Sequence, residues 1–510
     1  MPRSKNKTTF LSLLMLMSFA TNLTAQPEPS WSPQIPKTWD ELALASLEAP
    51  LVDSSFSPKH ISASYYYGMP VRPIYKSYPI YAPEKEPTGY IEWLKQQAPE
   101  VAFDAARLKT KADWIKAGEL VFDAPIVYGS LFIPASDTLY VRDPAWYRIT
   151  GTPVTKEGVM TFYRYVIREP GKIEIGVLSC GMCHTRVMPD GSIIKGAQGN
   201  FPFDRVMAND YRTGVDDVNS ARAAERALFA APWLRPDPNA MVAQMSQEEI
   251  AARHEAVPPG VAARHGGSPL FPMKIPDLFN LQERKYFDAT GLMQHRDIGD
   301  LMRYAALNQD GDFLAKHGDF MPQEAFGPIP KDPAQYEFGR YSDEQLYALA
   351  LYVYSLQPPK NPNKFDGLAA RGQKVFEREG CTECHTPPLY SNNKLTPARG
   401  FKVPEEHNKK FDIKDVCVNT NPDLALQTRR GAGYYKVPSL RHVWARGPLE
   451  HSGAVATLED WFDPDRVYDD YVPTGFRGHS VKNRAVEGHP FGLELSDEDR
   501  KALIAFLKTL

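Results

Sequence analysis

Sulfur is scarce in this 510-residue sequence in two informative ways: it holds five cysteines, and none of its 14 methionines lies beyond Met321. So few cysteines exclude a disulfide-built scaffold. The C-terminal part has no methionine to offer a metal. A surplus of one charge is lacking as well, since 59 basic and 62 acidic residues leave a net charge of −3. Nucleic acid and anionic membrane surfaces thus find no basic run to bind. Beyond the N-terminus no apolar stretch is long enough to cross a bilayer. What remains, 43% hydrophobic and 24% charged residues, is the make-up of a globular chain, and its length allows about three domains of roughly 150 residues.

Four of the five cysteines fall in two copies of one pattern, Cys180-Gly181-Met182-Cys183-His184 and Cys381-Thr382-Glu383-Cys384-His385. In C-x-x-C-H the two thiols can add across the vinyl groups of a haem, which leaves the histidine beneath the iron. A thioredoxin-like pair would not need the histidine, and a zinc half-site would need a second cysteine pair. Two covalently bound haem c groups are therefore expected, with Cys180, Cys183, Cys381 and Cys384 as thioether links and His184 and His385 as proximal ligands. Cys417, left alone, reads as a small buried apolar residue.

The N-terminus agrees with haem attachment outside the cytoplasm. Arg3, Lys5 and Lys7, the apolar run Phe10 to Ala20 and Leu23-Thr24-Ala25 have the order of an export signal. Residues 1–25 are read as a signal peptide and the mature chain as periplasmic or secreted, with no membrane span after cleavage. Residues 26–104, rich in proline and tyrosine with short helical signals at 39–47 and 90–97, are read as an irregular arm wrapped on the rest.

A repeat then sets the architecture. Gly118 to Phe122 and Gly372 to Phe376 both read G-x-x-V-F on a helical pattern, and each motif is followed by a helix starting at Ser342 or Ser496. Opening helix, haem motif and closing helix are the order of a cytochrome c domain. The expected fold is mainly α: a first haem domain at 105–359 and a second at 365–510, divided by the proline-rich linker after Pro358. Phe376 stands five residues before Cys381, but Phe122 stands 58 before Cys180. The first domain is thus enlarged by an insertion at 123–179, whose β-branched runs 161–167 and 172–177 predict hairpins at its edge.

The iron's far side separates a relay from a reactive centre. With no methionine after Met321, a local histidine-methionine haem is excluded in the second domain; His489 is the first choice as ligand, His451 the second, and His442 and His479 stay open. For the first haem His254, His265, His295, His317, several methionines or an open site are all allowed.

Tyr434-Tyr435-Lys436-Val437-Pro438-Ser439-Leu440-Arg441-His442-Val443-Trp444, followed by Gly447-Pro448-Leu449-Glu450-His451-Ser452-Gly453-Ala454-Val455-Ala456-Thr457-Leu458-Glu459, resembles a segment of bacterial di-haem cytochrome c peroxidases. There it reads roughly K-T-P-S-L-R-N-V, then A-P-Y-F-H-D-G-S-V-A-T-L-E. The superfamily includes the enzyme that matures tryptophan tryptophylquinone and the rubber oxygenases; a motif separation of about 200 residues is most similar to the latter. The resemblance covers 365–510 well and 105–359 loosely, and leaves 26–104 unexplained. It implies one haem that reacts with hydrogen peroxide or dioxygen and one that stores or relays electrons. Segment 286–309 is similar to the distal side of the first haem, with Arg303 and Tyr304 as hydrogen-bonding groups. The tryptophan that these peroxidases carry between their haems is replaced by Tyr286 or Phe287, and their methionine ligand is missing. Related peroxidases hold calcium between the haem domains, although no isolated acidic cluster here demands it. The resulting expectation is an oxidoreductase activating peroxide or dioxygen at the first haem. A classical peroxidase fed by a small soluble electron-transfer protein and a non-enzymatic di-haem carrier are the alternatives.

Overall fold

The computed structural model describes residues 31–129, 140–214 and 217–510; the expected export signal lies outside them. Helix makes up 37% and strand 12%, in several small sheets, so the chain is mainly α. Among the described residues no helix is long and apolar enough to cross a membrane.

The sequence repeat appears as two helix pairs of the same construction. Lys111–Asp123 packs on Asp343–Ser355, and Gly367–Arg378 packs on Asp497–Lys508. Both closing helices start where a serine hydroxyl, of Ser342 or Ser496, accepts the N–H of the residue three positions on. Each crossing depends on the glycine of G-x-x-V-F. A Cβ on Gly118 would lie 1.9 Å from the Ala348 carbonyl oxygen, and one on Gly372 1.9 Å from that of Ala502. One turn later aromatic rings close each crossing: Phe122 meets Tyr352 at 5.2 Å and Phe376 meets Phe506 at 5.3 Å between centroids.

Before the first motif the two β-branched runs form strands, as their composition predicts. β1 (Ser77–Tyr81), β2 (Val127–Tyr128), β3 (Val159–Glu169) and β4 (Lys172–Val177) make one antiparallel sheet in the order β1-β3-β4-β2. β3 and β4 form the expected hairpin, within a sheet larger than that hairpin. The N-terminal arm supplies edge strand β1, and Phe162 of β3 shares a buried cluster with Phe201 and with Met182 of the first motif. The run 161–167 has almost no polar alternation, so both faces seek cover, and one of them finds the motif.

The arm is irregular as expected, with helical turns at Glu41–Ala45 and Tyr90–Lys95. Trp39, 1% exposed, stacks on Tyr66 at 4.3 Å and donates Nε1–H to the Ile61 carbonyl at 2.9 Å. Backbone bridges from Glu48 to Met293 and Val71 to Arg340 fasten the arm along the first helix pair, and the Val52 N–H reaches the Gly431 carbonyl.

Candidate functional site

Both C-x-x-C-H motifs sit in turns that fix their histidines. Cys180–His184 is a single helical turn whose start is capped by the Ser179 hydroxyl, which accepts the Met182 N–H at 3.0 Å. Cys381–Glu383 is a tighter turn entered through Gly380 at φ 70°. His184 Nδ1 lies 3.0 Å from the Pro276 carbonyl oxygen and His385 Nδ1 3.1 Å from that of Tyr390. A carbonyl only accepts, so each Nδ1 carries the hydrogen and each Nε2 the lone pair. Burial holds the His184 pKa down at about 4 and keeps His385 below its ordinary value as well. Both imidazoles are therefore neutral.

One cavity of about 960 Å³ runs past both motifs, with all four of their cysteines and both histidines on its wall. The cysteines form no disulfide. Burial pushes the thiols up, Cys180 to about 12 and Cys183 and Cys381 to about 11. A redox pair works through a thiolate that such a wall disfavours, whereas thioether formation with an apolar macrocycle suits it. Cys417 corrects the expectation of a buried residue: it is exposed, and its Sγ–H donates to Asn419 Oδ1 at 3.2 Å.

Across the cavity from His385 stands His489, with the ring centres 6.4 Å apart. Two imidazoles on opposite sides of one metal, each at a bond length of about 2 Å, place their centres about 6 Å apart. His489 is held at φ 45° after Gly488, where a Cβ would lie 2.2 Å from the Thr420 nitrogen. Arg466, fully buried, clamps this loop by donating to the carbonyls of Val486, Gly488 and His489 at 2.5, 3.0 and 2.9 Å. Burial, with His385 next in effect, lowers the His489 pKa to about 3. The rival histidines are otherwise engaged. His451 pairs with Glu450 through Nδ1 and meets the Tyr435 hydroxyl at 3.2 Å through Nε2; His442 Nε2 lies 3.4 Å from Asn280; His479 is exposed.

Positive charge is gathered on the same wall. Burial, reinforced by neighbouring arginines, lowers Lys274 to about 8 and Lys436 to about 7. Asp277 is bonded to Arg284 at 2.6 Å and to Arg446 at 2.9 Å, which hold it near 2 although burial opposes them. Arg284 and Arg446 share this one carboxylate, while Lys274 and Lys436 also lie in the fields of Glu450 and Asp288; two largely buried arginines on one carboxylate suit a ligand with acidic side chains of its own. Facing histidines, protonated thiols and largely buried basic side chains together fit haem.

A separate polar network lines the cavity near the first motif. The Arg264 guanidinium bonds Asp288 and Asn308 and lies 3.0 Å from the Tyr304 hydroxyl, which donates to Asp288 at 2.9 Å. Arg430 adds a second cation 3.5 Å from Asp288. Burial opposes the Asp288 charge, but Arg264 and Arg430 outweigh it and hold its pKa near 2. Helix Ile298–Ala306 ends in a wider π-turn, Leu307–Gly311, which brings Asn308 and Gln309 to the wall. Phe287 stacks on Tyr304 at 4.7 Å and is also on the wall.

Arg303 is placed otherwise than expected. Successive helical residues point about 100° apart, so with Tyr304 on the cavity Arg303 turns away and bonds Asp300 at 3.1 Å and the Lys37 carbonyl at 3.3 Å. Of the four histidines considered for the first haem only His265 lines the cavity, and its Nε2 is 2.8 Å from Asp312. His254 is buried between Asp204 and Glu225, His295 bonds Tyr354, and His317 bonds the Phe56 carbonyl. Arg264, Asp288 and Arg466 escaped sequence reading because single charged residues in loops carry no periodicity.

No family model matches the sequence. It is 26% identical over 155 residues to a cytochrome c551 peroxidase of Nitrosomonas europaea, covering 30% of this chain and 37% of that one. It is 30% identical over 144 residues to the methylamine utilization protein MauG of Methylorubrum extorquens, covering 28% and 34%. Over 271 residues it is 23% identical to cytochrome-c peroxidase IdrP2 of a Pseudomonas species, covering 46% and 67%. The chain thus spans about a third of the length of the first two relatives. A solved MauG-like protein associated with microbial copper homeostasis aligns over 47% of this chain and 73% of its own at 15% identity and a TM-score of 0.28, too low for a shared fold to follow. The sequence relatives bear out the resemblance to the di-haem cytochrome c peroxidase superfamily.

Proposed function

We propose that this chain is an exported di-haem c-type oxidoreductase in which His184 and His385 are the proximal ligands and His489 closes the far side of the second haem. The observation that carries the reading is the pair of C-x-x-C-H histidines, each anchored through Nδ1 to a backbone carbonyl on one shared cavity. Cys180, Cys183, Cys381 and Cys384 would form the thioether links. Bound haems would supply one-electron chemistry and, on the first side, the activation of peroxide or dioxygen.

The residues around the first motif prepare that side. Arg264, permanently charged, can donate to an anionic oxygen, and Tyr304 supplies a hydroxyl beside it. Asp288 bonds both: it fixes the guanidinium as the donor in place, and it accepts the one Tyr304 O–H hydrogen, so Tyr304 must turn from Asp288 to donate to a small oxidant. Lys274, Lys436, Arg284 and Arg446 would answer the cofactor's carboxylates. Phe287 packs over Tyr304 and excludes water from it. Around the second motif the Arg466 clamp holds His489, which leaves that haem an electron reservoir. Among the described residues no group of three or more His, Cys, Asp or Glu is placed to hold a metal ion.

A second reading, a peroxidase supplied by a small soluble redox protein, is favoured by the names of two relatives. Both are tested by adding hydrogen peroxide to the reduced and as-isolated holoprotein while following the Soret band. A shift confined to one of the two haems is expected. Two haems that stay low-spin and ignore peroxide, dioxygen and carbon monoxide would leave only a carrier.

A further inference from the structure

A chain of rings leads from the cavity wall to a partly exposed tyrosine. Tyr304 stacks on Phe287 at 4.7 Å, Phe287 meets His295 at 4.5 Å, and His295 Nε2 lies 2.6 Å from the Tyr354 hydroxyl. The direction of that last bond is fixed. His295 Nδ1 lies 2.6 Å from the Arg284 carbonyl oxygen, which can only accept, so Nδ1 carries the hydrogen and Nε2 accepts from Tyr354. Sequence explains the placement. Tyr286–Phe287 pairs with Met293–Gln294 as a short hairpin, which sets His295 beside Phe287. Tyr354 comes from the last turn of helix Asp343–Ser355. Neither His295 nor Tyr354 is engaged by the cavity itself, so the reading above gives them no task.

We propose that Tyr354 is a redox-active residue that stores one oxidising equivalent, losing an electron through Phe287 and Tyr304 while its proton passes to His295 Nε2. The inference rests on the cavity being a haem site. The step balances as follows: the Tyr354 O–H bond breaks, an N–H bond forms on His295, and the electron reduces by one equivalent the haem centre that hydrogen peroxide has oxidised. A one-electron reductant at the partly exposed ring returns the electron, and the proton goes back from His295.

Physical chemistry favours the coupled route over either half alone. Burial raises the Tyr354 pKa, with Asp297 and Asp300 adding to it, so free tyrosinate is disfavoured. Burial also lowers the His295 pKa, while Asp297 and Asp300 raise it and Lys436 opposes them. Joint transfer leaves a neutral ring and an imidazolium beside two carboxylates. Phe287, with no ionisable group, bridges the rings.

The test uses the full holoprotein with ring-deuterated tyrosine and two oxidants, hydrogen peroxide and a flash-generated ruthenium(III) polypyridyl complex, read by electron paramagnetic resonance. With 25 tyrosines in the chain, the assignment is made by difference. A tyrosyl signal lost in Tyr354→Phe, and formed more slowly in heavy water and in His295→Gln, is expected with the ruthenium oxidant. A signal unchanged by Tyr354→Phe, or indifferent to both His295→Gln and heavy water, overturns the proposal. If ruthenium produces the Tyr354 radical and peroxide does not, the pair stands and the peroxide reading of the haem falls.

Discussion

In the first half of the molecule Gly118 meets Ala348, and in the second Gly372 meets Ala502, each where a Cβ would come within 1.9 Å of a carbonyl oxygen. Around these matched crossings the cavity walls diverge. The second motif faces a single histidine, His489, held by one buried arginine. The first faces a network of Arg264, Asp288, Tyr304 and Asn308, with His265 on the same wall held to Asp312 through Nε2. A repeated frame thus carries either a wall with a facing histidine or a polar pocket, depending on loops outside the repeat. The material that makes the difference is the inserted sheet and the helices at 203–255, which have no counterpart after the second motif.

The largest break in the comparison should come from the attachment cysteines. Cys381→Ala with Cys384→Ala should halve the haem that stays on the protein after acid–acetone extraction, counted as pyridine haemochrome, and Cys180→Ala with Cys183→Ala should halve it from the other side; an unaltered amount of non-extractable haem in either would refute covalent attachment at that motif. Next, Gly118→Leu and Gly372→Leu should each destabilise by about 3 kcal/mol or more, because the clash is with backbone rather than with a movable side chain. Denaturant melts that separate the two widely would show that the frames are not equivalent.

The walls themselves are probed by a crossed pair of variants. Arg264→Leu leaves the Asp288 carboxylate short of a partner at a cost of about 3 kcal/mol and should slow the peroxide-induced Soret change. His489→Ala should alter the spectrum of the second haem alone. If the two variants perturb the same haem, the division of roles between the motifs is wrong.

The smallest effect belongs to His254. Burial would lower its pKa, but Glu225 and Asp204 outweigh burial and raise it to about 10. Unfolded, a histidine titrates near 6.5. The contribution is therefore complete below about pH 6.5 and is lost as pH rises towards 10. In His254→Gln the decline of stability across that alkaline window should be shallower than in wild type. An identical slope would mean that the imidazole is neutral between its carboxylates.

Much of this was legible in the chain. G-x-x-V-F, C-x-x-C-H and the serine-capped closing helices were read as a repeat because helix caps and 3.6-residue periodicity are local properties. The runs 161–167 and 172–177 announced strands through composition. The lack of methionine beyond Met321 narrowed the second far-side ligand before any coordinates did, and His489 is the histidine that the fold sets opposite His385. Arg303 was misplaced because a helix pattern shows that one face is buried without showing which neighbour buries it.

By itself the sequence determined the two C-x-x-C-H motifs, the helix pairs around them and the absence of a methionine beyond Met321, all of which depend on residues close together in the chain. Tertiary structure alone decided the rest. The Arg264 network joins residues 264, 288, 304 and 308, the Arg466 clamp reaches across 23 positions to His489, and Tyr354 meets His295 across 59. Hydrogen bonds and ion pairs between loops have no period and no local propensity, so only the folded backbone specifies which lone charged residue meets which.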